Sequence, residues 1–257
     1  MTRVTVLMSV DENPAYNSNI ESARIFWSGM SNRDCVFQLV VIRVATTTDA
    51  EPPSGLPRVD EVWGIPVGIS PVFAAQMARI VAADAYDADF VLLTDADMLP
   101  LDSSYFREAF ESGADSDFLV FRDVIPHLDQ IPICYVAASP ANWSRVLSDP
   151  SAPVHRLENH WNEVADSYSA ARGTDTWTYD QRFLFKAITS LERHGLRVFR
   201  YDIGESRFSR LDRVKWPRWL MPIGALLTSA VDYHREIPIK RFDKLTEAVL
   251  RWRYLRD

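Results

Sequence analysis

The stretch DFVLLTDADMLPLD, residues 89–102, decides the fold. An apolar run from Phe90 to Leu93 leads into two aspartates, Asp95 and Asp97, and apolar residues resume directly after them. A run of this length and composition predicts a buried strand. A buried strand that ends on two like charges indicates a binding site at its carboxyl end.

Strand and helix patterns alternate on the N-terminal side of this stretch. Strands are predicted at 3–10, 35–44 and 59–65, and helices at 18–30 and 71–85. Ser18 with Glu21 has capping-box spacing, and Ser70 precedes a proline at the first helical position. This alternation predicts an α/β fold with a mostly parallel central sheet flanked by helices, and ligands bound beyond the carboxyl ends of its strands.

The second half of the chain is less regular. Strands are predicted at 116–123, 131–138 and 196–202, and helices from Pro140 and over 179–194. Thr178 with Gln181 again has capping-box spacing. The stretch 149–176 is rich in Ser, Pro, Asp, His and Trp, and no element is predicted there.

Composition bounds the class of protein. The 257 residues are 47% hydrophobic and 25% charged, which is typical of a soluble globular protein. Two cysteines cannot form a disulfide framework, and no stretch suggests a signal peptide or a membrane span, so a cytoplasmic location is expected.

Charge is unevenly distributed along the chain. From Arg207 onward there are twelve Lys/Arg and six Asp/Glu, whereas the whole chain has a net charge of −7. The acidic body argues against a nucleic-acid-binding protein. The basic segment could make peripheral contact with a membrane surface, or it could form a solvated terminal helix over 240–256.

The aspartate pair predicts a metal site. Residues i and i+2 of an extended chain point to one side, so Asp95 and Asp97 could direct both carboxylates at one point. Two such carboxylates repel unless a cation joins them, and Mg²⁺ or Mn²⁺ accepts oxygen ligands of this kind. The alternative is one aspartate capping a turn and the other in solvent.

FVLLTDADMLPLD resembles the D-x-D segment of nucleotide-sugar-dependent glycosyltransferases with the GT-A fold. The resemblance implies a divalent ion held against the diphosphate of a donor, most often a UDP-sugar, and transfer of the sugar to a glycan, protein or lipid-linked acceptor. It also implies one domain over 1–257, in which 1–125 binds the nucleotide sugar, 126–239 forms the acceptor half and 240–257 is the basic terminal helix.

Further residues are distantly similar to the glycogenin-like family 8 enzymes. Asp180-Gln181 resembles an Asp-Gln pair beside the acceptor and donor sugar, which implies catalytic roles for both. His234, six residues before Lys240, resembles the family's H-x-x-G-x-x-K, in which the histidine binds the metal and the lysine the diphosphate. Ile237 stands where the family has glycine.

The nucleotide is expected at the end of the first strand. Ser9, Asp11 and Tyr16 are candidate ligands there, with Asp60 as a partner from a neighbouring strand. Arg79, on the helix before the aspartates, could reach the diphosphate or pair with an aspartate. Among the tryptophans, Trp143, Trp161 and Trp177 are candidates to stack on an acceptor sugar or to pack in the core.

Three other functions use similar elements. A phosphatase of the haloacid dehalogenase type also has D-x-D, but at its first strand and with Thr or Val where Leu99 stands here. A sugar nucleotidyltransferase requires a Gly-rich basic loop after the first strand, whereas SVDENPAYNS has no glycine. A non-catalytic nucleotide-sugar-binding module would bind the donor without turnover.

Overall fold

The computed structural model describes most of the chain. The described residues are 1–46, 57–123, 128–170, 176–203, 210–212, 220, 222–223, 225, 232–234 and 241–254.

A seven-stranded sheet forms the centre of the molecule, in the order β3-β2-β1-β4-β7-β6-β8. Its strands are β1 (Thr2–Val10), β2 (Cys35–Ala45), β3 (Glu61–Gly64), β4 (Phe90–Leu93), β6 (Phe118–Asp123), β7 (Val136–Ala138) and β8 (Val198–Ile203). All pairings are parallel except those of β7, which runs antiparallel to both β4 and β6. The predicted α/β class with a mostly parallel sheet is confirmed.

Helices cover both faces of the sheet. They are α1 (Pro14–Asn17), α2 (Ile20–Gly29), α3 (Pro71–Val81), α4 (Ser103–Ser112), α5 (Pro140–Leu147), α6 (Pro153–Val164), α7 (Tyr179–Glu192) and α8 (Arg241–Tyr254). Alternate residues of β1 point to opposite faces, so Val6 packs in one buried cluster with α2 and α4, and Leu7 packs in another with α3, α5 and α7. Burial on both faces explains the nearly continuous apolar sequence of the central strands.

A second, small sheet joins distant parts of the chain. The strand β5 (Met98–Pro100) pairs antiparallel with β10 (Asp232–His234), and β10 pairs in parallel with β9 (Arg210–Asp212). The register sets His234 opposite Met98, the residue after Asp97. The C-terminal part of the chain is therefore anchored directly behind the aspartate pair.

The two predicted capping boxes were wrong. Ser18 donates its hydroxyl to the carbonyl of Ala15 at 2.7 Å, and α2 begins two residues later than predicted, after Asn19. Thr178 is the N-cap of α7 but makes no side-chain capping bond. In contrast, Ser70 caps α3 as predicted, because its side chain accepts from the amide of Phe73.

The terminal helix is not solvated all round. Thr246, Glu247 and Leu250 of α8 are buried, and Ser22 of α2 donates to the Glu247 carboxylate at 2.6 Å. In the part of the chain that the structure describes, no helix has the length and apolar character needed to cross a membrane. Both cysteines are buried, and neither is in a disulfide.

Candidate functional site

The aspartate pair lies in a tight turn between β4 and β5. Thr94 donates its amide to Leu7 of β1 at 3.0 Å, which continues the strand pairing by one residue, and the amide of Met98 then closes on the carbonyl of Asp95 at 3.2 Å. The chain is therefore not extended through the pair, as the i, i+2 prediction assumed. Asp95 and Asp97 nevertheless line one cavity at the carboxyl ends of β1 and β4.

Arg79 supplies the cation of this cavity. It lies in the last turn of α3, and side chains on a helix lean towards its N-terminus, which brings the guanidinium up to the strand ends. Its Nη1 is 2.6 Å from Oδ1 of Asp95 and 2.6 Å from the carbonyl oxygen of Thr94. Burial alone would lower the pKa of Arg79, but the carboxylates of Asp95 and Asp180 raise it above its ordinary value, so the group stays charged.

Asp180 meets the same guanidinium from the other side. It lies in the first turn of α7, with Oδ2 3.5 Å from Nη2 of Arg79 and Oδ1 accepting from the amide of Gln181 at 2.8 Å. Only 3% of Asp180 is exposed. Burial raises the pKa of this carboxyl to about 6, against the opposing effect of Arg79. Asp180 can therefore exchange a proton near neutral pH.

The end of β1 and the start of α1 form the opposite wall. Ser9 donates its hydroxyl to the carbonyl of Ala75 on α3, so this side chain joins the wall to that helix. Asp11 accepts from the amide of Asn13, and Asn13 caps α1 by accepting from Ala15. Tyr16 adds an aromatic ring to this wall.

These walls enclose a cavity of about 530 Å³. Its lining residues are Ser9, Val10, Asp11, Asn13, Tyr16, Val72, Ala75, Gln76, Arg79, Asp95, Ala96, Asp97, Ala170, Trp177, Asp180 and Gln181. The charged members are four aspartates and one arginine. The described lining therefore has a large excess of negative charge.

Three predicted site residues lie elsewhere or remain undescribed. Asp60 is not among the lining residues, because its carboxylate accepts from Arg24 at 2.7 Å and from the amide of Val41 at 2.8 Å. His234 is placed by its backbone beside the aspartate turn, but its side chain lies outside the described residues, as does the whole of Lys240. Within the described ranges, no three His, Cys, Asp or Glu side chains form a group that could hold a metal ion.

The cavity also contains residues that the sequence did not single out. Val72, Ala75 and Gln76 lie on the face of α3 that carries Arg79, at helical spacings of three, four and seven residues, so the helical period was the available signal. Asn13 caps α1, a helix too short to show a period. Trp177 lines the cavity, whereas Trp143 is fully buried and donates its Nε1 to the carbonyl of Val91.

No family model matches the chain. No curated protein matches its sequence either. Among solved structures, it is similar to the galactosyltransferase LgtC in complex with donor and acceptor sugar analogs, at 13% identity and a TM-score of 0.47, with 95% of each chain covered. It is also similar to mouse xyloside xylosyltransferase 1 in its apo form, at 14% identity and a TM-score of 0.41, with 91% of this chain and 98% of that one covered. Both TM-scores are below 0.5, so the function of the chain has to be inferred from the residues of the site.

Proposed function

We propose that this chain is a metal-dependent glycosyltransferase, which moves a sugar from a nucleotide-diphosphate donor, with UDP-sugar as the expected class, to a glycan, protein or lipid-linked acceptor. The observation that carries the proposal is the charge of the cavity at the carboxyl ends of β1 and β4. Among the described residues that line it, four are aspartates and one is an arginine, and Asp95 and Asp180 pair with that arginine. A site so acidic repels an anionic diphosphate unless a divalent cation accompanies it.

The side chains present suit such a cation. Asp95 and Asp97 offer hard carboxylate oxygens on one turn, which are ligands that Mg²⁺ and Mn²⁺ prefer. His234 is the proposed third ligand, because the β5–β10 register sets it opposite Met98. When bound, the metal would neutralise the charge that develops on the departing diphosphate. Lys240 is proposed to contact the same diphosphate.

The protein's own groups would orient the reactants. Asp95 is held by Arg79 at 2.6 Å yet keeps 38% of its side chain exposed, so the arginine fixes this carboxylate without covering it. Asp11 and Tyr16 are proposed to receive the nucleoside, with the tyrosine ring against the base. Ser9 would fix the position of the backbone at the end of β1, since its hydroxyl donates to the carbonyl of Ala75 on α3.

Asp180 and Gln181 are the proposed catalytic residues. A carboxyl with a pKa of about 6 is largely ionised at neutral pH and can accept a proton from an acceptor hydroxyl. Arg79, on its other side, stabilises the ionised form. The Gln181 amide would hold a sugar hydroxyl beside it, because its side chain lines the same cavity.

The exposed face of α8 is proposed as a point of membrane contact. Leu245 and Trp252 are 52% and 54% exposed and lie seven residues apart, which places them on one side of the helix. The segment around them is basic. Co-sedimentation with vesicles containing phosphatidylserine, but not with neutral vesicles, would support this contact. Equal recovery in both supernatants would refute it.

Calorimetric titration tests the donor site. UDP is titrated, with GDP as the comparison, in the presence and absence of Mn²⁺, into wild-type protein and the Asp97→Ala variant. We expect UDP binding that requires both Mn²⁺ and Asp97. Asp87→Asn is the matched control, because Asp87 is an aspartate with 95% of its side chain exposed, outside the cavity.

Two results would contradict the proposal. Metal-independent UDP binding, or no binding of either nucleotide, would remove the metal–diphosphate site. Metal-dependent binding followed by no UDP release from any of a panel of UDP-sugars with glycan acceptors would leave a non-catalytic binding module.

A further inference from the structure

One wall of the cavity is not used by the donor as proposed. The nucleoside and diphosphate take the β1–α1 wall and the aspartate turn. The wall that is left contains Ala170, Trp177, Asp180 and Gln181, which lie before and at the start of α7, and it adjoins Val72, Ala75 and Gln76 of α3. An acceptor must approach from this side to reach Asp180.

Two hydrogen bonds hold the backbone around Trp177 in place on that wall. The turn that contains it is closed by the amide of Tyr179, which donates to the carbonyl of Thr176 at 3.3 Å. From α3, Gln76 donates its Nε2 to the carbonyl of Trp177 at 3.0 Å. Because Gln76 and Arg79 are three residues apart on one face of α3, the same helix holds the backbone of Trp177 and pairs with Asp180.

The other described tryptophans lie away from the cavity, and Trp252 is 54% exposed on α8. Trp27 and Trp143 are fully buried. Trp161 packs against Phe73 and Tyr168, with ring centroids 5.2 and 5.4 Å apart. Trp63 donates its Nε1 to Glu61 at 2.8 Å, in a separate small cavity. Of the tryptophans within the described residues, Trp177 alone lines the main cavity.

An indole next to a carboxylate suits a sugar ring. One face of a pyranose consists largely of C–H groups, and covering it with a flat aromatic side chain removes apolar area from water and adds dispersion contacts. Its hydroxyls, at the ring edge, can bond to Asp180 and Gln181 at the same time.

The same wall offers fewer binding contacts to a peptide. Extended peptides bind by adding a strand to an exposed sheet edge, and their specificity comes from pockets for alternate side chains. Here the wall is a turn and the first turn of a helix, and it offers no strand edge. The carbonyls of Trp177 and Gln181 are already bonded, to the Gln76 side chain and to the amide of Ile131. The geometry therefore favours a carbohydrate over a serine or threonine of a polypeptide.

We propose, on the basis of the function proposed above, that Trp177 is the stacking platform for the acceptor and that the acceptor is a glycoside. Trp177 determines acceptor specificity, and Gln76 is a positioning residue that acts through the backbone of Trp177.

Saturation-transfer-difference NMR tests the platform directly. The ligands are methyl β-glucopyranoside and methyl β-galactopyranoside, with a serine-containing tripeptide for comparison, each measured with and without UDP and Mn²⁺. For wild type, we expect transfer concentrated on the C–H protons of one ring face and little transfer to the peptide. We expect Trp177→Ala to weaken glycoside binding about tenfold, and Trp177→Phe to retain part of it because a smaller aromatic face remains.

Two controls separate a platform from a structural role. Trp252→Ala removes a tryptophan that is 54% exposed on α8 and does not line the cavity, so its glycoside signals should match wild type. Thermal unfolding and UDP calorimetry on Trp177→Ala should show a folded protein with its UDP dissociation constant within about twofold of wild type, because the nucleoside lies on the opposite wall. Trp177→Phe serves the same purpose if the alanine variant does not fold.

The outcomes distinguish this proposal from the one on which it rests. Wild-type protein that binds UDP but no glycoside, or equal signals in wild type and Trp177→Ala, would overturn the acceptor platform and leave the donor site intact. Glycoside signals that depend on Trp177 in a protein that binds no UDP would support the platform and overturn the transferase. Transfer to the peptide that exceeds transfer to the glycosides would overturn the acceptor class.

Discussion

Two buried arginines contact the region of α3 in different ways. Arg156 of α6 meets Asp84, just beyond the end of that helix, through two parallel bonds of 2.7 and 2.9 Å, and it also donates to the carbonyl of Val81. Arg79 instead divides its guanidinium between Asp95 at 2.6 Å and Asp180 at 3.5 Å. One pair is closed and bidentate, whereas in the other a single cation serves two acids.

This difference separates a structural ion pair from a binding site. The Arg156 and Asp84 side chains are 8% and 11% exposed, and each charge has an opposite charge of its own. In the cavity, Asp95 is 38% exposed and the carboxylates outnumber the guanidinium. An excess of like charge among the described lining residues costs folding free energy, and the cation of the proposed function would offset it.

Removal of the closed pair should give the largest effect on stability. Arg156→Met leaves the buried Asp84 carboxylate without its bidentate partner, and breaking such a pair costs about 3–5 kcal/mol of the free energy of unfolding. Denaturant unfolding measures this loss. Because Arg156 lies outside the cavity, Mn²⁺-dependent UDP affinity should stay within about twofold of wild type. A parallel loss of UDP affinity would show that the two arginines are not functionally distinct.

Asp97→Asn should have the opposite effect, with a loss of metal affinity in place of a loss of stability. Loss of one carboxylate ligand should weaken Mn²⁺ binding in the presence of UDP about 100-fold, which corresponds to about 3 kcal/mol. The free Mn²⁺ signal in electron paramagnetic resonance measures this. Asp84→Asn is the control, since it should lower stability and leave Mn²⁺ affinity intact. Equal Mn²⁺ affinity in wild type and Asp97→Asn would exclude Asp97 as a ligand.

The difference in stability between Asp180→Asn and wild type should depend on pH. The folded-state pKa of Asp180, about 6, is above its unfolded value of 3.8, so the carboxyl's contribution to stability is present below pH 3.8 and is lost as pH rises through about 6. The Asp180→Asn variant lacks this titrating carboxyl. Without metal, its free energy of unfolding should therefore rise relative to that of wild type by about 2 kcal/mol between pH 4 and pH 7. Urea unfolding across this range measures the gain, and a difference that does not vary with pH would contradict the shifted pKa.

The start of α3 should give the smallest effect. Ser70→Ala removes the side-chain acceptor for the amide of Phe73, a bond of 3.5 Å, and should cost about 0.5–1 kcal/mol. Thermal unfolding measures it, and Ser70→Gly should cost only a few tenths of a kcal/mol. Ser139→Ala, at the N-cap of α5, is the matched control. A Ser70→Ala loss well above that of Ser139→Ala would mean that Ser70 does more than cap its helix.

Much of the central sheet could be predicted from apolar runs in the sequence. The strand β2 was predicted at 35–44 and occupies Cys35–Ala45, and β4 was predicted and found at 90–93. Both are covered on two faces, so their apolar runs are continuous and their limits are visible in the sequence. The same logic placed Asp95 and Asp97 at the carboxyl end of β4, where the cavity lies, whereas Asp180, which also lines it, was expected there only from the resemblance.

Other features depend on contacts between distant residues and leave weaker local signals. The predicted role of Asp60 assumed that a strand-end acid faces the ligand, whereas this carboxylate pairs with Arg24, thirty-six positions earlier. The helix α6 was not predicted, although Val154, Leu157, Trp161 and Val164 recur in it at helical spacing, and Arg156 holds it to α3. The capping box of Ser18 and Glu21 was wrong because this spacing is short and common in sequences. The helix α2 begins after Asn19 instead.

The pairing of β5 with β10 sets a condition on biosynthesis. Met98 and His234 meet although more than half of the chain lies between them. A nascent chain can form β1, β2 and β4 early, but the strand behind the aspartate turn is synthesised only after β6, β7 and β8. A chain that stopped before β10 would thus have the strands of the central sheet and would lack the strand that pairs with β5 behind Asp95 and Asp97.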